Sequence, residues 1–229
     1  NPSVQVTLSD KDFDYLDSNK KEFVKTVLPI IINENQNILM IRSFVSELKG
    51  KLETFRTLNN KEIRKLNDIA NKYKINYHNK HKLDLVDEIL SNVDVIPNSI
   101  ALAQAAIESG WGKSRFAKEY NALFGEYTYD NSKGVIPLER ENGDTHLIKA
   151  FSSYSNSVES YFNNINSHYA YEDFRDIRNI MRKRNNFSNV NLLVNKLSTY
   201  AEDENYIKTI RQVIKTNNFV IFDQKTISY

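Results

Sequence analysis

Apolar residues in the first part of the chain recur at helical spacing. Phe23, Val24, Val27, Ile30, Ile31, Ile38, Ile41, Phe44, Val45 and Leu48 follow one period from Lys20 to about Lys49. Pro29 is expected to kink or divide this helix, and Gly50 to end it. Residues 1–19 are polar and weakly patterned, and read as an extended arm. A second helix fits Lys61–Tyr73, with Ile63, Leu66, Ile69 and Ala70 on one face and Asn60 as its cap. A third fits Lys82–Val93. Pro97 then opens a helix in which Leu102, Ala103, Ala105, Ala106 and Ile107 leave little polar surface, the pattern of a core helix. Gly110 and Gly112 stop it, and a short helix follows at about Lys113–Tyr120.

Between Phe124 and Phe151 the pattern changes. Gly125, Gly134, Pro137 and Gly143 punctuate a stretch in which Tyr127, Tyr129, Val135, Ile136, Leu147 and Ile148 favour strand. This predicts a small β-lobe, a hairpin, at about 125–151. Helical patterns resume at about Ser155–Tyr169, Glu172–Lys183, Asn189–Ala201 and Asp203–Asn217. The predicted class is mainly α, an α+β chain with one small β insertion. No repeat or low-complexity linker divides it.

Composition narrows the chemistry by exclusion. The 229 residues, 40% of them hydrophobic, suffice for one large domain or a domain with an appendage. A net charge of +2 gives no electrostatic case for nucleic acid. There is no cysteine, which removes disulfides, thiolate metal sites and cysteine nucleophiles. His78, His81, His146 and His168 form no zinc pattern, so no metal and no cofactor is expected. No apolar run reaches the length of a membrane span. No signal peptide is visible, and a start at Asn1 without methionine suggests a trimmed or mature form, which leaves room for a removed export signal or anchor.

One carboxylate stands out. Glu108 closes the apolar helix and is followed by Ser109-Gly-Trp-Gly112. A glutamate at such a boundary is partly desolvated, which favours its protonated form. A carboxylic acid protonated near neutral pH can give its proton to a glycosidic oxygen.

Gln104, Glu108-Ser-Gly-Trp-Gly112, Ser114 and Asn121-Ala-Leu-Phe-Gly125 resemble the motifs of bacterial glucosaminidase domains, glycoside hydrolase family 73. Ala150-Phe-Ser-Ser-Tyr154, Ser157-Val-Glu-Ser160, and Ser198-Thr-Tyr-Ala-Glu-Asp203 with Tyr206 extend the likeness over roughly residues 80 to 223. The resemblance implies a lysozyme-like fold and cleavage of the β-1,4 bond between N-acetylglucosamine and N-acetylmuramic acid in peptidoglycan. It implies Glu108 as general acid and Tyr200 as an active-site tyrosine in the cleft facing it. Ala-Glu-Asp stands here where Ala-Thr-Asp is more usual, which adds charge beside Tyr200.

Glycoside hydrolysis commonly uses a second carboxyl group. The β-lobe offers Glu126, Glu139, Glu141 and Asp144. Glu139 is the first choice, because it lies four residues before Gly143, and the family's second glutamate has a similar E-x-x-x-G context. Glu141 is next, and both also fit ordinary hairpin-surface charges. Inverting, retaining and acetamide-assisted routes all stay open. Phe124, Tyr127, Tyr129 and Tyr154 suit the faces of sugar rings. Trp111 does too, or it is a wedge that fixes the glutamate turn. Gln104, Glu141 and Tyr171 complete the expected substrate-binding set.

Residues 81–229 are thus expected to form the catalytic domain, and residues 1–80 an arm and helical segment packed on it or extending it. Peptidoglycan strands are the expected partner, with a membrane-protein or envelope partner for residues 1–80. A monomer acting outside the cytoplasm, at the cell envelope or secreted, is expected. Muramidase, lytic transglycosylase and a non-catalytic glycan-binding or scaffold module are the competing readings.

Overall fold

The computed structural model describes residues 6–130, 132–136, 147–187, 189–201 and 203–226. In chain order they form β1 (Val6–Thr7), a 3-10 turn at Asp10–Phe13, and the helices α1 (Ser18–Glu53), α2 (Asn60–Lys72), α3 (Lys82–Asn92), α4 (Asn98–Glu108) and α5 (Arg115–Tyr120). Three short strands follow: β2 (Tyr127–Thr128), β3 (Gly134–Val135) and β4 (Leu147–Lys149). Then come α6 (Tyr154–Ser167), α7 (Glu172–Lys183), α8 (Asn191–Val194) and α9 (Tyr206–Thr216). A 3-10 turn at Phe219–Phe222 and β5 (Lys225–Thr226) end the described chain. The chain is predominantly helical with one small antiparallel sheet, as the pattern predicts.

Two compact units are present. The first comprises Asn1–Glu34, Pro97–Tyr161 and Lys208–Tyr229; the second comprises Asn35–Ile96 and Phe162–Ile207.

In the first unit α4 is the central element. Every residue from Asn98 to Ala106 is buried, in accord with its apolar sequence. Its N-terminus is tied to the chain's end. Asn98 Nδ2 donates to Phe222 O at 2.7 Å, and Asp223 accepts from both Ser99 N and Ser99 Oγ at 2.8 Å. Residues 6–16 join this arrangement, where an extended arm was expected from the polarity of residues 1–19. Phe13 and Leu16 are buried, the Phe13 ring meets Phe222 at 6.0 Å, and β1 pairs in parallel with β5. Two anchoring apolar side chains suffice to fold a segment whose overall pattern is polar.

α1 runs undivided through Pro29, where a kink or a division was expected, and past Gly50, its expected end, to Glu53. An interior proline costs a helix about 3 kcal/mol or more through the lost hydrogen bond and ring clash. Val24, Val27, Leu28, Ile31 and Ile32 around it are all at most 1% exposed, and burial of one such side chain contributes about 1.5–3 kcal/mol. Packing therefore outweighs the local penalty. The β-lobe is a three-stranded sheet and not a simple hairpin: β4 lies between β2 and β3, antiparallel to both.

The second unit packs α2, α3, α7 and α8. The cap of α2 is Asn59, not Asn60; its side chain accepts from Lys61 N and Glu62 N. The predicted helix at 189–201 shrinks to the single turn of α8, followed by turns through Tyr200. Asp94 is fully buried at the heart of this unit. Arg182 grips it with two hydrogen bonds, of 2.9 and 2.6 Å, and Arg42 Nε lies 3.4 Å away. Arg178, also fully buried, donates to the carbonyls of Asn92, Asp94 and Val95. Arg42 takes those of Leu90 and Val93. The arginines thereby satisfy carbonyls at and just beyond the end of α3, which no helical bond can reach. Among the described residues, no helix is long and apolar enough to cross a membrane.

Candidate active site

The site is built where α4 ends. Glu108 is its last residue and is half-buried. Ser109, completely buried, secures the exit: its hydroxyl donates to Ala105 O at 2.6 Å and accepts from Gly112 N at 2.8 Å. The next three residues all take left-handed backbone angles, with φ of +57° at Gly110, +59° at Trp111 and +72° at Gly112. The Trp111 N–H donates back to Ala106 O at 2.8 Å, closing the helix in the manner of a Schellman turn. Ser114 then caps α5 by accepting from Ala117 N, and Asn121, also left-handed, ends it. Asn121 Nδ2 donates to Phe151 O at 3.0 Å, so this residue holds backbone.

The Asn121–Gly125 segment brings the chain back to the carboxylate. A Cβ built on Gly125 would lie 3.2 Å from Glu108 Oε2, and Gly125 has φ +62°. A larger residue here would strain its own backbone and press on the Glu108 carboxylate. Phe124 is 1% exposed and stacks on Tyr161, with centroids 4.0 Å apart and planes 8° from parallel. The Tyr161 hydroxyl donates to Gln104 Oε1 at 2.6 Å. Gln104 and Phe124, both expected to bind substrate, are thus buried and linked through Tyr161. Ser157 Oγ accepts from Leu123 N at 3.1 Å.

Directly after Gly125, the Glu126 side chain turns inward. Its Oε2 accepts from Ser160 Oγ at 2.9 Å, and that hydroxyl accepts from Lys149 Nζ at 2.5 Å. Lys149 Nζ itself lies 3.8 Å from Glu126 Oε2, while Glu126 Oε1 is buried with no hydrogen-bond partner among the described residues. Burial pushes the Glu126 carboxyl above the ordinary range, against the charge of Lys149 and the bond from Ser160. Lys149 belongs to β4 and Ser160 to α6, so this cluster fastens the β-lobe to the helix behind it. The sequence marks Glu126 only as one lobe carboxylate among four. Its role shows only once Ser160 and Lys149 are placed.

The other expected residues fall in different settings. Tyr127 and Tyr129 are 65% and 79% exposed on the lobe, and Tyr154 begins α6 half-buried. Trp111 is half-buried in an aromatic contact with Phe23 and another with Phe219. Glu139 and Glu141 lie outside the described residues. Tyr200 and Tyr171 belong to the second unit. There Tyr200 is half-buried, stacked on the buried Tyr206 with centroids 5.8 Å apart and beside the buried Tyr171 at 6.2 Å. Among the described residues, no cluster of three His, Asp or Glu side chains could hold a metal ion.

Comparison with known proteins agrees with the motifs. The family described as mannosyl-glycoprotein endo-beta-N-acetylglucosaminidase, the glucosaminidase family, matches residues 83–219. Protein bax of Escherichia coli K12 is 32% identical over 80% of this chain and 63% of its own length. Peptidoglycan hydrolase FlgJ of Escherichia coli O157:H7 is 36% identical over 35% of this chain and 29% of its own. The chain thus spans less than two thirds of either relative. Among solved structures, the catalytic domain of the autolysin Auto from Listeria monocytogenes shows 19% identity and a TM-score of 0.44, over 78% of this chain and 96% of that one. With well over half of its length matched by one family, and the matched segment containing Glu108, its glycine turn and Asn121–Gly125, the chain belongs to the glucosaminidase family.

Proposed function

We propose that this protein is a peptidoglycan hydrolase, an endo-β-N-acetylglucosaminidase that cleaves the GlcNAc-β-1,4-MurNAc bond at the cell envelope. The observation that carries the reading is the Glu108 carboxylate, held at the end of a buried helix against the bare backbone of Gly125, in a chain of the glucosaminidase family. The likeness to FlgJ, a peptidoglycan hydrolase, supports the choice of polymer.

In this mechanism Glu108 acts as general acid. Its proton passes to the glycosidic oxygen as the bond from that oxygen to the anomeric carbon breaks. Water completes the reaction at the anomeric carbon. The β-lobe supplies a second carboxylate to activate that water, Glu139 in the first place and Glu141 in the second. Tyr200, assigned by its Tyr-Ala-Glu-Asp motif, supplies a hydroxyl that orients the substrate's acetamide or stabilises charge at the anomeric carbon. Exposed Tyr127 and Tyr129 offer ring faces to the sugars.

The test is mass spectrometry of purified peptidoglycan after digestion. The expected product carries N-acetylglucosamine at each new reducing end. A reducing muramic acid would make the protein a muramidase, and an anhydro-muramic end a transglycosylase. Binding without cleavage would reduce it to a glycan-binding module.

A further inference from the structure

The only tryptophan in the chain, Trp111, is clamped by residues from the two ends of the sequence. Phe23, on α1, is 7% exposed and meets the indole edge-on, with centroids 5.7 Å apart and an interplanar angle of 72°. Phe219, near the C-terminus, is fully buried and meets it at 6.2 Å and 60°. Lys20, three residues before Phe23, places its Nζ 5.2 Å from the indole centroid. Gly112 presses against the same ring: a Cβ there would lie 3.1 Å from Phe23 Cδ2, and its φ is +72°. A larger residue at Gly112 would strain its own backbone and need the Phe23 ring to give by a few tenths of an ångström.

Trp111 is also where the turn's backbone is least comfortable. A left-handed φ of +59° at a bulky residue costs of order 1–3 kcal/mol and persists only when the surroundings enforce it. The contacts on the indole help to hold it, beside the turn's own bonds from Gly112 N to Ser109 Oγ and from Ser114 N to Ser109 O. The Trp111 backbone is joined directly to α4 by the bond from its N–H to Ala106 O, in the last turn before Glu108.

We propose that Phe23 is a positioning residue for the Glu108 carboxyl. It holds the Trp111 ring in place, and the Trp111 backbone transmits that restraint to the end of α4. The proposal rests on the reading of Glu108 as general acid. It gives the N-terminal segment a task inside the site's own frame. Phe23 touches no substrate in this account. Its effect is on the geometry of proton transfer, where a displacement of about 1 Å can lower turnover by up to a hundred-fold.

The test uses the full chain with three variants. Phe23→Leu removes the ring and keeps an apolar side chain. Val27→Ala removes buried volume one turn further along α1, where Val27 is fully buried, and serves as the destabilised control. Glu108→Gln tests the underlying reading. Turnover and KM on soluble peptidoglycan fragments are measured well below each melting temperature, alongside Trp111 emission and acrylamide quenching.

Phe23→Leu should lower kcat about ten-fold or more with little change in KM, and should shift and expose Trp111 emission. Val27→Ala should melt earlier, yet keep wild-type kcat and emission. Should Phe23→Leu not fold, Phe23→Met, closer in volume, is measured in its place with the same expected outcome. A folded Phe23 variant with altered emission and wild-type kcat overturns the proposal, as does one with unaltered emission. Equal loss of kcat in Val27→Ala overturns it too, because the effect would then be one of stability alone. An active Glu108→Gln would instead overturn the acid assignment, whatever Phe23 does.

Discussion

Asp94 in the second unit and Glu126 and Asp223 in the first are buried acids in opposite electrostatic settings. Burial alone would push the Asp94 carboxyl up, but the bonds from Arg182 and the charges of Arg178, Arg42 and Arg182 outweigh it and hold the group below its usual value. Asp94 is a permanent counter-ion, and the arginines around it also satisfy carbonyls at and beyond the end of α3. Among the described residues, Glu126 has one lysine partner and one hydroxyl, and Asp223 has the N–H and hydroxyl of Ser99. For both, burial dominates: Glu126 is raised, and Asp223 is pushed up to about 6. Burial thus favours the protonated form of Glu126 and Asp223, while the arginines hold Asp94 ionised.

Asp94→Asn should have the largest effect on stability. It leaves Arg42, Arg178 and Arg182 without their anion, and breaking a buried pair in this way costs about 3–5 kcal/mol. Denaturant melts at pH 7 should show this loss. Because the folded pKa is depressed, the wild-type contribution of Asp94 is present above about pH 4 and is lost as pH falls through the folded value. A loss below about 1 kcal/mol would show that the arginines are held by their carbonyls alone.

Asp223→Asn should act in the opposite direction and less strongly. The raised pKa means that Asp223 contributes stability at low pH, and this is lost as pH rises from about 4 through about 6. The linked change is about 2–3 kcal/mol. Melting temperature measured between pH 4 and 7 should fall less with rising pH in the variant than in the wild type. Parallel curves would show that Asp223 titrates normally.

Glu126→Gln should follow the same sign with a smaller effect, because Lys149 partly offsets the burial of the carboxylate. The variant should equal the wild type near pH 4 and match or exceed its stability at pH 8. A less stable variant at pH 8 would mean that the Glu126–Ser160–Lys149 cluster depends on a full negative charge. Tyr200→Phe should change stability least, since both rings that meet it stay in place. Its turnover should still fall about ten- to a thousand-fold, in line with other single-donor deletions. An unchanged turnover would leave Tyr200 a packing residue.

Much of this contrast is invisible in the sequence. The span Glu172–Lys183 reads directly as α7, because acidic residues open it, basic residues close it, and its apolar positions are periodic. Glu108 and its glycine turn are legible because the local chemistry is contiguous. Phe23 is legible only as one apolar position in a helix, since its meeting with Trp111 joins residues far apart in the chain. Asp223 lies in an unremarkable terminal stretch and acquires meaning from Ser99. The polar pattern of the first residues hides Phe13 and Leu16, whose burial fixes that segment. Pro29 misleads for a related reason: local propensity is overridden by the fully buried neighbours on α1.

The central claim, that Glu108 is the proton donor, is tested most directly by the turnover of Glu108→Gln on purified peptidoglycan. Glutamine keeps the shape beside Gly125 and removes the transferable proton. The account predicts a fall in kcat of about a thousand-fold or more, with far-UV circular dichroism and Trp111 emission unchanged. A folded Glu108→Gln protein that turns over substrate at close to the wild-type rate would contradict it.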